Sequence, residues 1–202
     1  AHAGQSDTTG TPDLIAAEPI KVGIRIPETV SVGNFVWFDT DNNGTYNPGT
    51  LNPNEAIAPG VSLTLYEDAD NDNTTPSTPV DVDPDTAGLQ PYTVTTDANG
   101  YYIFNMEEPG QDYSPDYPAY VAGREYVVVV DGSNFDPGGV LENYLSSTAQ
   151  AGAGINNDTL DRGVDAGIPG INGVPSFVFT FDADGAPTGE LTTTTDEGTP
   201  TT

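Results

Sequence analysis

The stretch Asp39-Thr40-Asp41-Asn42-Asn43-Gly44-Thr45 sets Asx residues at alternate positions and closes on a glycine. On a tightly curled chain, alternate side chains converge their oxygens, and glycine permits the sharp bend. This donor pattern suits calcium, a hard cation that takes about six to eight oxygens. The expected ligands are the side chains of Asp39, Asp41 and Asn43, the Thr45 carbonyl and the Glu55 carboxylate. An EF-hand loop would carry a bidentate glutamate where this chain has Thr50, and no helical pattern flanks the loop. The spacing therefore predicts a calcium loop held between strands.

Two further clusters share parts of that pattern. Asp68-Ala69-Asp70-Asn71-Asp72-Asn73 places three carboxylates at alternate positions without the glycine, and Asp97 and Asn99 are candidates to complete its shell. Asn156-Asn157-Asp158, followed by Asp161 and Asp165, is a looser third candidate. The runs Asp81–Asp85 and Asp131–Asp136 and the turn Asp182–Gly185 read as turns and solvated acidic loops.

Catalytic chemistry has little to work with. The single histidine is His2 and there is no cysteine, so a Ser–His relay, a thiolate nucleophile and His- or Cys-ligated metals are all excluded. Paired carboxylates can hydrolyse glycosides, but a carboxylate that holds calcium stays ionised and cannot act as a general acid. The expectation is a protein that is not an enzyme.

Composition narrows the partners. The chain has 202 residues with 31 acidic and 4 basic side chains, a formal charge of -27. Nucleic acid and anionic lipid surfaces need clustered Lys and Arg, which are missing. No run approaches the ~20 apolar residues of a membrane-spanning helix. With 23 Gly, 18 Pro, ten Tyr and seven Phe, the chain is turn-rich and aromatic, as an all-β domain would be. So much negative charge in one fold calls for bound counter-ions. The start at Ala1-His2-Ala3, without Met, matches what removal of a signal peptide leaves, and it points to an extracellular or cell-surface location.

The elements that must position these loops are strands. Val32–Phe38, Val61–Tyr66, Tyr92–Thr96, Tyr101–Asn105, Glu125–Val130, Asn143–Thr148, Ser176–Phe181 and Glu190–Thr195 carry strand patterns. Asp97-Ala98-Asn99-Gly100 reads as a hairpin turn between the third and fourth, and Asp182–Gly185 as one between the last two. No longer segment has helical periodicity, so the fold class is an antiparallel β-sandwich. The expected organisation is an extended arm over 1–30, a calcium-binding sandwich over 31–167, and a C-terminal hairpin with a Thr-rich tail over 168–202. Of three N-glycosylation sequons, at Asn43, Asn73 and Asn157, only Asn73 lies outside the first and third candidate loops.

GNFVWFDTDNNG, APGVSLTLYEDAD, TVTTDANGYYIF, EYVVVV and NNDTLDRGVDAG follow one another in an order that resembles the B-like domains of serine–aspartate-repeat surface adhesins. The resemblance covers about residues 31–167. It implies a prealbumin-like sandwich that binds calcium and acts as a stiff extracellular spacer. It also implies one site at Asp39, Asp41, Asn43 and Glu55, another at Asp68, Asp70 and Asp97, and a third around Asn157, Asp158 and Asp161. The stretch between Asn47 and Glu55 departs from the pattern, as do the N-terminal strand and the C-terminal pair.

That N-terminal strand lies within residues 19–26. Ile20, Val22, Ile24 and Ile26 alternate with Lys21, Gly23 and Arg25, giving one apolar face and one face with half of the chain's basic residues. Placed on a neighbour's open sheet edge, such a segment would link copies of the chain into a homopolymer. The expected function is therefore a calcium-stabilised subunit of a surface filament assembled by strand exchange. The alternative is a monomeric stalk or adhesion module, with Tyr113, Tyr117 and Tyr120 as possible contacts for a glycan or protein, although a Pro-locked packing cover is the preferred reading of their loop.

Overall fold

In a computed structural model of the chain, the described residues are 29–49, 55–68, 78–81, 87–107, 117–149, 160–164 and 168–181. The arm with Ile20–Ile26, the acidic residues Asp70 and Asp72, Asn157 and Asp158, Tyr113, and the segment 182–202 all lie outside them.

The architecture is an all-β antiparallel sandwich. Strands β1 (Thr29–Phe35) and β7 (Tyr101–Glu107) form one sheet, in register from Thr29 opposite Glu107 to Phe35 opposite Tyr101. The facing sheet has six strands. Its centre is β4 (Ser62–Asp68) beside β8 (Glu125–Val130). The short strands β5 (Thr78–Pro79) and β6 (Thr93–Thr95) line the far edge of β4. The near-continuous apolar run of β8 fits its place inside the sheet, with Tyr126–Val129 all buried and β9 (Val174–Pro175) and β10 (Phe179–Thr180) on its other edge.

The core lies between the sheets. Tyr120, Tyr126, Phe104, Phe181, Leu63 and Leu65 are among its largest contributors, and Tyr92 meets Phe104 edge to face with centroids 5.1 Å apart. Phe181 packs on both Tyr120 and Tyr126, so the segment from 174 to 181 completes the sandwich and is not a separate appendage. The turn and second strand of the C-terminal hairpin expected over 168–202 lie outside the described residues, while β10 takes β8 as a ladder partner. Among the described residues, helix is confined to one turn, Pro169–Asn172, and a 3-10 turn at Gly132–Phe135.

Two expectations change. The turn Asp97–Gly100 does not close a hairpin. Strand β6 pairs with β4 while β7 pairs with β1, so the turn carries the chain from one sheet to the other. Residues Asn143–Thr148 are not a strand; Asn143 takes a positive φ of 69°, which breaks an extended run at its first residue.

Candidate metal centre

A second, smaller ladder builds the centre. Strand β1 stops at Phe35, and β2 (Trp37–Phe38) leaves its line to pair with β3 (Ala56–Ile57). Phe38 stands opposite Ala56, so one step further along this register Asp39 stands opposite Glu55. The acidic loop is the connection between these strands, and the ladder brings its first residue beside its last. An aromatic group anchors it from within: Tyr46 packs on Phe35 with centroids 4.8 Å apart and on Trp37 at 5.9 Å.

Inside the loop, side chains replace the backbone partners that a helix or sheet would supply. Asp39 accepts from the Gly44 N–H at 2.7 Å and the Asn43 N–H at 3.2 Å. Asp41 also accepts from Asn43 N–H, at 3.2 Å, and Asn43 Oδ1 accepts from Thr45 N–H at 2.7 Å. Asn42 adopts φ 56° and accepts from the Thr148 N–H at 2.8 Å, tying the loop to the chain after Asn143. The Thr45 carbonyl accepts from Asn47 Nδ2 at 2.9 Å, which leaves one of its two lone pairs.

Carboxylate oxygens of Asp39, Asp41 and Glu55 lie within 4.8 Å of one another. Glu55 is the unusual member. It is only 4 % exposed, its Oε2 accepts from the Asn47 N–H at 2.6 Å, and its Oε1 is buried with no hydrogen-bond donor among the described residues. Burial raises its pKa, and the nearby carboxylates of Asp39 and Asp41 push in the same direction, against the Asn47 N–H. A buried, under-satisfied carboxylate among like charges is costly, and a divalent cation is the partner that would offset it. The donor set is all oxygen, with no nitrogen or sulfur ligand, so these residues fit a hard cation such as calcium.

The other candidates are placed differently. Asp97 is two residues beyond Thr95, which pairs with Ser62 at the start of β4, whereas Asp68 ends β4 opposite Glu125. At a rise of about 3.3 Å per residue, roughly 20 Å of strand separates the two ends, so Asp68 and Asp97 do not share a site. The Asp97 carboxylate instead holds its own turn, accepting from Asn99 N–H at 2.8 Å and Tyr101 N–H at 3.0 Å. Asn99 is exposed in that turn.

Asp161 arrives at the first loop. Leu160 bridges to Thr45, and the Asp161 N–H donates to the Gly44 carbonyl at 2.8 Å. Its buried carboxylate accepts from the Ser147 hydroxyl and from Gly163 N–H, so it braces the loop from behind. Tyr120 is 2 % exposed and belongs to the core, which removes it from the proposed surface contacts; Tyr117 is half-buried.

Sequence reasoning missed Asn134. It is buried in the 3-10 turn, accepts from Ser62 N–H at 2.9 Å, and donates to the Ser62 and Asp131 carbonyls at 2.7 and 2.8 Å. It pins the start of β4 to the end of β8. Its only sequence signal was an Asx residue in an acidic turn.

No protein-family model matches the chain. Among curated proteins it is similar to Colossin-B of Dictyostelium discoideum, with 26 % identity over 128 residues that cover 59 % of this chain and 3 % of Colossin-B. The chain thus spans only a few per cent of that relative's length.

Proposed function

We propose that this chain is a non-enzymatic, calcium-stabilised structural module that works outside the cell as a subunit of a surface filament. The observation that carries the reading is the buried Glu55, whose unsatisfied oxygen stands among the carboxylates of Asp39 and Asp41. In this reading Asp39, Asp41, Asn43, the Thr45 carbonyl and Glu55 hold the ion. Calcium would supply the positive charge that the cluster lacks. Asp39 and Glu55 close the two ends of the loop, and Asp161 with Ser147 supports its back. The residues bind and stiffen; none is arranged to move a proton to or from a substrate.

The oxygen-only donors favour calcium, and the proposed extracellular placement is consistent with it. Sites with a Kd of about 10⁻⁴ to 10⁻³ M fill outside cells and empty within them. A mechanical role agrees with a chain of -27 that has no histidine beyond His2 and a cation-stiffened loop at one end of the sandwich. The second reading, a stalk module inside a longer surface protein, is favoured by the match to a short section of a far longer relative.

Calorimetric titration with calcium, and thermal melts in calcium and in chelator, test the proposal. Heat of binding that disappears in Glu55→Gln, together with a lower melting temperature in chelator, supports it. An unchanged melt in chelator refutes it. Negative-stain images in calcium separate the two readings, because assemblies favour the filament and single particles favour the stalk.

A further inference from the structure

Among the described residues the two sheets are unequal: two strands face six. Val30 and Val32 of β1 and Phe179 of β10 pack against the core but remain half-exposed. A cavity of about 480 Å³ opens beside β1 and β2, with Phe35, Trp37, Val128, Val130 and Val174 among its walls. From β1 the walls take only Asn34 and Phe35, at the end where the chain passes into β2.

The register shows which backbone groups of β1 turn away from β7. The Val36 N–H donates to the Gly100 carbonyl, so the even-numbered residues of β1 turn toward β7. The odd-numbered residues Ser31, Gly33 and Phe35 then direct their N–H and C=O groups away from it. The Phe35 N–H is closed by Asn34 Oδ1 at 2.8 Å. Ser31 and Gly33 have no main-chain partner on that side among the described residues. An edge of this kind is a template for one more strand.

We propose that the open edge of β1 is the acceptor for residues Ile20–Ile26 of a second copy of this chain. The inference rests on the filament reading and names its contact surface. Segment and edge match in length, seven residues against the seven of β1. Paired there, Ile20, Val22, Ile24 and Ile26 would extend the apolar layer that Val30 and Val32 present to the core. Lys21 and Arg25 would fall on the outer face, against a chain that carries -27.

The connection favours a second copy over the same chain. Only Pro27 and Glu28 separate Ile26 from Thr29. Two-residue hairpins need a positive φ at their first central residue, and proline is locked near -65°. A two-residue hairpin back onto the β1 that follows is thus disfavoured. Donor and acceptor are different surfaces of one chain, so the contact is head-to-tail and can propagate.

The absence of native cysteine allows a direct test on the full chain. Ser31→Cys protein is mixed with Lys21→Cys, Gly23→Cys or Arg25→Cys protein under mild oxidation, with Thr95→Cys replacing Ser31→Cys as the control. At least one Ser31→Cys mixture should give about tenfold or more inter-chain disulfide than its control, because docking raises the local thiol concentration. Adding Val22→Pro and Ile24→Pro to the donor should remove the excess while its melting temperature stays the same. Inter-chain product no greater than the control in all three mixtures overturns the proposal. So does a disulfide that forms only within one chain carrying both cysteines. The calcium melt is a separate readout: its failure with cross-linking intact refutes calcium and leaves the docking surface standing.

Discussion

Glu55 is a residue whose ionisation costs stability unless a cation accompanies it, and the sign of its substitution should depend on calcium. Its folded pKa is raised, so the metal-free folded state holds the proton more tightly than the unfolded chain does. Its contribution in chelator therefore favours lower pH and is lost as pH rises through the raised value. Glu55→Gln should melt at or above the parent in chelator and below it in calcium at neutral pH. Differential scanning calorimetry in the two buffers checks both signs. Tyr102 offers an independent test. Burial pushes its phenol up to about 12. The unfolded chain ionises this tyrosine near pH 10, so folding stability should decline from about pH 10 toward 12. Burial also raises Tyr46, Tyr66, Tyr92 and Tyr126, so ultraviolet titration of tyrosinate should show several late-ionising groups, of which Tyr102→Phe removes one. At this scale Asp39, Asp41 and Asn43 were legible because their spacing is local. Asn134 was not, since its worth comes from bonds to Ser62, 72 residues away.

Among the elements, the strands were legible where their pattern was strong, as in Glu125–Val130 and Tyr101–Glu107, and their partners were not. The segment Asp97–Gly100 has the chemistry of a tight turn, and it is one; which sheet each flanking strand joins depends on long-range pairing that no local signal encodes. Likewise Glu55 follows the loop motif at an irregular distance, and only the pairing of Phe38 with Ala56 carries it to Asp39. Gly100 is the clearest weak point of this arrangement. It has φ 74°, and a Cβ there would sit 2.9 Å from the Val36 carbonyl oxygen and 3.0 Å from Ile57 Cβ. Gly100→Ala should cost about 2 kcal/mol, the sum of left-handed strain and crowding. Urea unfolding should show a lower midpoint with an unchanged slope.

For the whole molecule, charge and fold are coupled. A single calcium site held at 100 times its Kd adds about 2.7 kcal/mol to the native state. In a domain of this size that corresponds to roughly 5–10 °C of melting temperature for each filled site. Chelator should therefore lower the melt by at least that step, and by a multiple of it if the clusters at Asp70 and Asp72 or at Asn157 and Asp158 also bind. Scans across a calcium series, with magnesium as the comparison, would count the steps. The all-β class followed from alternation and turn density alone. The inequality of the two sheets did not, because it depends on where each short strand finds an edge.

The pairing of Asp39 with Glu55 turns the intervening segment into a closed ring whose ends are set by the β2–β3 ladder and not by its own length. The Asn47 N–H is already tied to Glu55, so residues inserted between them should leave that closure in place. Doubling a flexible loop adds only about 0.6 kcal/mol of closure entropy. The ring is thus a port for grafting foreign sequence, with the carboxylates of Asp39 and Glu55 serving as its hinge pins.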